Sequence, residues 1–284
     1  MLRFLKKSEY VILLTLTVFL LIGITVSTGK SITPVSAYST SAASAIVIES
    51  NTGKVLYEKN ADEKRQIAST TKILTAITVL ENTDDLEKMI KIPDEAVGVE
   101  GSSIYLRKGE ELRVIDLLYG LMLRSGNDCA VALACITSGS VENFSVLMNM
   151  TAKRAGACSS HFCNPHGLPD DNHYSTARDM VMISAYAMKN DVFRKIVSTK
   201  IYNDCSSPDG GNRTFLNKNK ILNMVEGGNG LKTGYTKAVG RCLISSAERN
   251  GKQIICVVIN CGPMFEESRD LIDEAFEKLM ENEE

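Results

Sequence analysis

Apolar residues come in short runs bounded by turn residues at both ends of the chain, and at helical spacing between them. Residues 45–48, the turn Asn51-Thr52-Gly53 and residues 55–57 predict a β-hairpin. Residues 241–247 and 254–260, joined by an Asn-Gly turn, predict a second one. Helices are predicted over 70–80, 114–124, 128–137, 141–155 and 176–189, and a charged amphipathic helix over residues 265–280. The pattern predicts an α+β fold, in which N- and C-terminal hairpins form one antiparallel sheet with a helical cluster on it.

The first 37 residues are organised like an export signal. The basic segment Met1–Lys7 precedes an uncharged apolar run, Tyr10–Val26, and the small-x-small sequence Val35-Ser36-Ala37 follows. We favour cleavage after Ala37, and a retained anchor is the alternative because the run is only just long enough to span a bilayer. Residues 1–37 are thus predicted to be a signal peptide or membrane anchor. Residues 38–284 are predicted to act outside the cytoplasm, with membrane contact only through the N-terminal segment.

Composition excludes several classes of protein. The chain of 284 residues is 44% hydrophobic and 23% charged, which is too apolar for a disordered protein. Its formal net charge of −2 lacks the basic surplus of a nucleic-acid binder. The 8 cysteines are too sparse for a disulfide scaffold. Four cysteines lie in apolar stretches and are expected to be buried: Cys129, Cys135, Cys242 and Cys256. Cys158 and Cys163 could pair across a loop.

A serine and a lysine three residues apart open the first predicted helix. This spacing places Ser69 and Lys72 one turn apart on the same helix face. The free N–H groups at a helix N-terminus favour negative charge, which suits a nucleophile whose target becomes an oxyanion. The same spacing recurs at Ser27 and Lys30, within the export segment, but leads into no apolar helix. We therefore take Ser69 and Lys72 as the candidate pair.

Two further motifs strengthen that assignment. Ser125-Gly126-Asn127 lies between two predicted apolar helices, where a turn can direct both polar side chains into a cleft. Lys232-Thr233-Gly234 follows a glycine-rich run and leads into a strand. Taken alone, the first could be a helix cap and the second a solvated strand end. Their occurrence together with Ser69 and Lys72, in this order, favours a catalytic site.

The three motifs resemble those of penicillin-binding proteins and class A β-lactamases. Over residues 40–280 the chain resembles the serine-type D-alanyl-D-alanine carboxypeptidases, with a further similar stretch at Phe162–Pro169 and Tyr174–Asp179. Gly126 stands where the general pattern has Asp, a variation that the carboxypeptidases share. The resemblance implies a β-lactamase/transpeptidase-like fold and a cell-wall hydrolase that removes D-Ala from peptidoglycan stem peptides. It implies acylation by β-lactams, no cofactor, no metal and no nucleic-acid partner.

The motif residues have physically distinct expected roles. Ser69 Oγ attacks the carbonyl of the penultimate D-Ala, and Lys72 serves as its base if burial and a nearby cation lower its pKa. Ser125 passes a proton to the leaving amine. The Asn127 amide is expected to hold the peptide carbonyl.

The strand that follows is expected to bind the end of the substrate. Lys232 and Thr233 offer charge and a hydroxyl to its terminal carboxylate. Gly234 leaves the strand edge open to an added peptide strand. In the family, the N–H groups of the serine and of the residue after the third motif form the oxyanion hole, here Ser69 and Tyr235. Thr236 completes the expected substrate-binding residues.

Three alternatives remain at this stage. A β-lactamase would need a glutamate to activate water, and between Ser125 and Lys232 only Glu142 and Glu226 occur, neither well placed. A non-catalytic peptidoglycan-binding module would keep the fold. A metal-binding module is suggested by a cluster without a common zinc spacing: Cys158, His161, Cys163, His166 and His173.

Overall fold

A five-stranded antiparallel sheet lies at the centre of the computed structural model, which describes residues 39–208 and 211–281. Its strands, with those of two short hairpins, are β1 (Ser44–Glu49), β2 (Val55–Lys59), β3 (Met89–Lys91), β4 (Glu111–Arg113), β5 (Ile201–Ser206), β6 (Asn212–Leu216), β7 (Gly228–Thr236), β8 (Gly240–Arg249) and β9 (Lys252–Ile259). The sheet order is β2-β1-β9-β8-β7, while β3 pairs with β4 and β5 with β6. The prediction that the N- and C-terminal hairpins join in one sheet is confirmed. The predicted export segment, residues 1–37, lies outside the described residues.

The predicted helices are also confirmed, with ends that differ by one or two residues. The helices are α1 (Lys72–Glu81), α2 (Val114–Leu123), α3 (Asn127–Ser138), α4 (Val141–Arg154), α5 (Ala177–Ala187), α6 (Asp191–Ser198), α7 (Ile221–Met224) and α8 (Met264–Glu281). A 3-10 turn, Ala68–Thr71, leads into α1, and another covers Asp94–Ala96. The hairpins β3–β4 and β5–β6 and the helices α6 and α7 were not predicted.

Apolar side chains cover both faces of the sheet, because successive residues of a strand point to opposite sides. On one face, Ile46, Ile244 and Val257 pack against the helical cluster in the larger core. On the other face, Val47 and Val258 pack in a second core that includes the apolar side of α8. The sheet is therefore a buried layer between the helical cluster and α8.

The helix α1 runs through the helical cluster, and its N-terminal end lies beside β7. Its residues from Lys72 to Val79 are all buried. In the described residues no single helix is both long and apolar enough to cross a bilayer; α3 and α4, bent by 86°, pass that test as a pair by length and composition. The chain thus places the first motif against the strand that carries the third.

Candidate active site

Ser69 and Lys72 meet at the start of α1. Ser69 lies in the 3-10 turn that precedes α1, and Lys72 is the first residue of α1. The Lys72 ammonium nitrogen lies 3.0 Å from Ser69 Oγ. The structure therefore brings the two side chains within hydrogen-bond distance, as their spacing predicts.

Lys72 is held in a fully buried position by three oxygen atoms. Besides Ser69 Oγ, its Nζ is 2.7 Å from Asn127 Oδ1 and 2.7 Å from the backbone oxygen of His166. Burial, and then the positive charge of Lys232, lower the pKa of Lys72 well below its ordinary value. A neutral amine offers a lone pair as well as N–H donors. Lys72 can thus accept the proton of Ser69.

The second motif forms the opposite wall of the site. Ser125 is buried and has φ 64°, a left-handed backbone that non-glycine residues rarely adopt outside functional or tightly constrained positions. Asn127, the first residue of α3, uses its oxygen on Lys72 and donates from Nδ2 to the backbone oxygen of Glu100 at 2.6 Å. Asn127 therefore orients the Lys72 side chain, through a contact that the sequence does not reveal.

A buried carboxylate next to this motif fixes the adjacent loop. Asp128 accepts hydrogen bonds from the backbone N–H groups of Ile104 and Leu106 and from the Ser103 hydroxyl. The Asn127 N–H donates to the Ser102 oxygen at 2.6 Å. Asp128 thus holds the loop that carries Ser102, one rim of the site, against the start of α3.

The third motif lies on β7, with its lysine turned inward. Lys232 is 2% exposed, and its Nζ donates to the backbone oxygen of Thr233 at 2.8 Å. Burial, with a smaller contribution from the charge of Lys218, lowers the pKa of Lys232 to about 7. Tyr235 is exposed, whereas Thr236 accepts a hydrogen bond from the Val239 N–H and caps the turn into β8.

Gly234 lets β7 approach the turn that carries Ser69 closely. A Cβ at this position would lie 3.1 Å from Thr70 N, 3.2 Å from Ile67 O and 3.2 Å from Ser69 N. These are backbone atoms, which cannot rotate away as a side chain can. The glycine is thus required by the distance between β7 and the Ser69 turn, in addition to the open strand edge expected from the sequence.

A cavity of about 300 Å³ lies between these elements. It is lined by Ser69, Ser102, Ser125, Lys218, Thr233, Gly234, Tyr235, Met264 and Phe265. Lys72, Asn127 and Lys232 are buried behind its wall, and Thr236 is not part of its lining. A larger cavity of about 480 Å³, which Ser50, Lys189 and Glu248 help to line, contains no motif residue.

Two contributions to the site are invisible in the three motifs. One is the backbone oxygen of His166, because a carbonyl carries no signature in the sequence. It is positioned by a tight turn in which Gly167 has φ 82°, and a Cβ there would lie 2.0 Å from the Ala68 oxygen. The similar stretch Phe162–Pro169 was the signal that could have located it. The other is Lys218, which precedes α7.

The residues that suggested the alternative of a metal-binding module have other partners. Burial lowers the pKa of His166 to about 3 and that of His173 to about 4, so both rings are neutral. His173 Nε2 lies 2.9 Å from Thr71 Oγ1, and His161 Nδ1 lies 2.7 Å from the backbone oxygen of Asn172. No group of three or more His, Cys, Asp or Glu residues in 39–208 and 211–281 is arranged to hold a metal ion.

All eight cysteines are free thiols. Cys129, Cys242 and Cys256 are buried, as their apolar surroundings predict, and Cys135 is half-buried. Cys158 and Cys163, the pair that could have joined across a loop, are not bonded to each other.

Comparison with known proteins identifies the family. Residues 31–262 match the D-alanyl-D-alanine carboxypeptidase family, Peptidase S11. The chain is 37% identical to D-alanyl-D-alanine carboxypeptidase DacF of Bacillus subtilis, over 76% of this chain and 57% of DacF. It is 37% identical to the D-alanyl-D-alanine carboxypeptidase of Streptomyces sp. K15, over 75% of this chain and 78% of that protein.

The fold agrees with a solved structure. The Streptomyces K15 DD-transpeptidase superposes with a TM-score of 0.80 at 33% identity, covering 85% of this chain and 99% of that one. This neighbour bears out the predicted α+β fold of the transpeptidase type. The chain belongs to the D-alanyl-D-alanine carboxypeptidase family.

Proposed function

We propose that the chain is a serine D-alanyl-D-alanine carboxypeptidase that removes the terminal D-Ala of peptidoglycan stem peptides through an acyl-enzyme on Ser69. The observation that carries the proposal is the buried Lys72 Nζ, 3.0 Å from Ser69 Oγ, with its pKa held well below the ordinary value. A serine hydroxyl is a weak nucleophile without such a base. Lys72 is the base that we propose for this step.

Acylation follows from the positions of the side chains. Ser69 Oγ bonds to the carbonyl carbon of the penultimate D-Ala while its proton passes to Lys72. The oxyanion is held by the N–H groups of Ser69 and Tyr235, donors each worth about 3–4 kcal/mol. Ser125, which lines the cavity, relays a proton to the amine nitrogen as the C–N bond breaks. Terminal D-Ala departs, and water then hydrolyses the Ser69 ester.

Recognition of the peptide uses β7. Thr233 and Gly234 line the cavity beside Ser69, so an extended peptide can lie along this edge of the sheet. Thr233 offers its hydroxyl to the terminal carboxylate, and Lys232 contributes positive charge from behind the wall. Asn127 supports the reaction through Lys72, and its expected contact with the substrate carbonyl stays a prediction, because Asn127 does not line the cavity.

A β-lactamase is the rival activity, and the lining of the cavity argues against it. That reaction needs a carboxylate to activate the deacylating water. Among the described residues, no Asp or Glu lines the 300 Å³ cavity. Glu142 lies at the start of α4 and Glu226 precedes β7, and both are exposed. β-Lactams are therefore expected to acylate Ser69 and to leave slowly.

We further infer that the enzyme works outside the cytoplasm, at the outer face of the membrane or in the wall. Its substrate class is found there, and residues 1–37 have the order of an export signal. Cleavage after Ala37 is favoured over a retained anchor. Residues 38–284 are the proposed catalytic domain.

Intact-mass measurement tests the acyl-enzyme directly. After incubation with benzylpenicillin, the wild-type chain should gain the mass of one penicilloyl group, and Ser69→Ala should gain none. Ser50→Ala, a serine of the separate 480 Å³ cavity, is the matched control and should be acylated like wild type. Wild-type release of D-Ala from diacetyl-L-Lys-D-Ala-D-Ala completes the test. Acylation that persists in Ser69→Ala would refute the assignment.

A further inference from the structure

Two apolar side chains at the start of α8 line the cavity that contains Ser69. These are Met264 and Phe265, which also pack against the second core. The other described residues of the lining carry a hydroxyl or an ammonium group, or, at Gly234, no side chain. We call Met264 and Phe265 the apolar wall, and the proposed reaction assigns it no role. A surface of this kind is suited to an apolar part of the substrate.

The start of α8 is held in place by hydrogen bonds on both sides. Before it, the Cys261 N–H donates to the Arg241 oxygen at 2.9 Å, and Arg241 Nη1 donates to the Gly262 oxygen at 3.1 Å. Within its first turn, the Glu267 carboxylate accepts the backbone N–H of Ser41 at 2.9 Å. The apolar wall is thus a preformed surface, so the protein loses little freedom there when a substrate binds.

The apolar wall borders the space that the terminal residue of the substrate would occupy. In the proposed reaction, Ser125 serves the nitrogen of that residue and Thr233 its carboxylate, and both line the same cavity as the wall. An extended peptide that ends at Thr233 and has its reacting carbonyl at Tyr235 continues along β7 towards Thr236, which is not part of the lining. The α-carbon of the terminal residue lies between its nitrogen and its carboxylate. The side chain of that residue is therefore the apolar group next to the wall.

We propose that Met264 and Phe265 form the subsite for the side chain of the terminal D-residue, and that the enzyme also removes apolar D-residues larger than D-Ala from stem peptides. The proposal rests on the proposed function, since it concerns the residue that this function releases. Methionine suits such a subsite because its thioether chain is flexible and adapts to apolar groups of different shape. The methyl group of D-Ala covers a small part of a methionine and a phenyl ring, so a longer apolar side chain gains contact. Each further buried carbon is worth about a fourfold gain in binding.

Two substrates of equal size separate apolar contact from fit. Diacetyl-L-Lys-D-Ala-D-Leu and diacetyl-L-Lys-D-Ala-D-Asn end in side chains of nearly the same shape, one apolar and one polar. With the full-length chain purified in detergent, kcat/KM for the D-Leu peptide should exceed that for the D-Asn peptide by about tenfold or more, which corresponds to roughly two buried carbons. The value for the D-Leu peptide should at least equal that for diacetyl-L-Lys-D-Ala-D-Ala.

A variant of the apolar wall assigns this preference to its residues. Met264→Gln keeps the length of the side chain and replaces its thioether with an amide. The preference for D-Leu over D-Asn should fall by about three- to tenfold, the contact of one to two carbons, because the phenyl ring of Phe265 remains. Met264→Leu, which stays apolar, should retain most of the preference. Met280→Gln is the matched control, since Met280 lies at the other end of α8 and is 58% exposed, and it should behave like wild type.

The acylation assay separates a changed subsite from a damaged protein. Benzylpenicillin at saturation should still add one penicilloyl group to Met264→Gln, which shows an intact fold and nucleophile. Equal kcat/KM for the D-Leu and D-Asn peptides in wild type, a D-Leu peptide cleaved less efficiently than the D-Ala peptide, or an unchanged preference in Met264→Gln would overturn the proposal. A wild type that neither releases D-Ala nor is acylated would instead refute the proposed function.

Discussion

Gly234→Ala tests how tightly β7 must lie against the nucleophile. The added Cβ would meet three backbone atoms at 3.1–3.2 Å, from Ile67, Ser69 and Thr70. Such contacts are a few tenths of an ångström too short, so β7 and the turn that carries Ser69 must separate. The N–H groups of Ser69 and Tyr235, which we propose as the oxyanion hole, would then move apart. We therefore expect the N–H groups of Ser69 and Tyr235 to lose their alignment while the fold is retained.

The expected losses of acylation rate and of stability follow from the usual costs of a displaced oxyanion donor and of overpacking. Removing one oxyanion donor costs about 10²–10³ in rate, and a displaced donor should cost part of that, about 10- to 100-fold in acylation. Overpacking of this kind costs about 1–3 kcal/mol of stability. At about 2–4 °C per kcal/mol, the midpoint of thermal unfolding should fall by about 2–12 °C.

A time course of penicilloyl mass gain measures the acylation rate, and differential scanning fluorimetry measures stability. Gly262→Ala is the matched control, because no atom lies within 4 Å of its added Cβ. It should acylate and unfold like wild type. If Gly234→Ala acylated at the wild-type rate, catalysis would not need the close approach of β7 to the Ser69 turn.

Two further predictions concern pH and the membrane. Because burial lowers the pKa of Lys72, the neutral base predominates above that lowered value, so the acylation rate should rise with pH and reach its plateau well below the ordinary lysine value of 10.5; a rate still rising towards the alkaline limit would show an ordinary lysine. The isolated domain 38–284 should not float with anionic vesicles, because the polar side of α8 carries Glu266, Glu267 and Asp270; stable co-flotation would contradict this.

The parts of the fold that could be predicted are those with strong local signals. The hairpin β8–β9 has an Asn-Gly turn between two apolar runs, and α2 and α3 have continuous apolar faces. The hairpin β5–β6 was missed because its strands are mostly polar and exposed, with Cys205 and Phe215 as their buried side chains. Its stability comes from contacts with distant residues, such as Tyr202 stacked on Tyr119 at 3.7 Å. Such contacts leave no periodic pattern.

The residues of the site also fall into those that the sequence could predict and those that it could not. The proposed nucleophile and base, Ser69 and Lys72, could be found because the spacing of their motif places them on one helix face. The acceptor role of the His166 carbonyl could not, since it depends on a turn near residue 167 meeting α1. Lys218 lies in no recognisable pattern, and only the packing of its segment beside Leu123 brings it to the cavity.

The pairing of β1 with β9 has a consequence for the order in which the protein folds. Ser44 lies opposite Ile259 and Glu49 opposite Ile254, so the middle of the sheet joins segments from opposite ends of the domain. An isolated two-stranded hairpin is marginal in water, and contacts this distant in sequence form slowly. During synthesis, β1 and β2 must wait for β9 before the sheet can close. A chain that crosses a membrane N-terminus first would therefore complete its sheet, and with it the acylating site, only after its C-terminal strands had arrived.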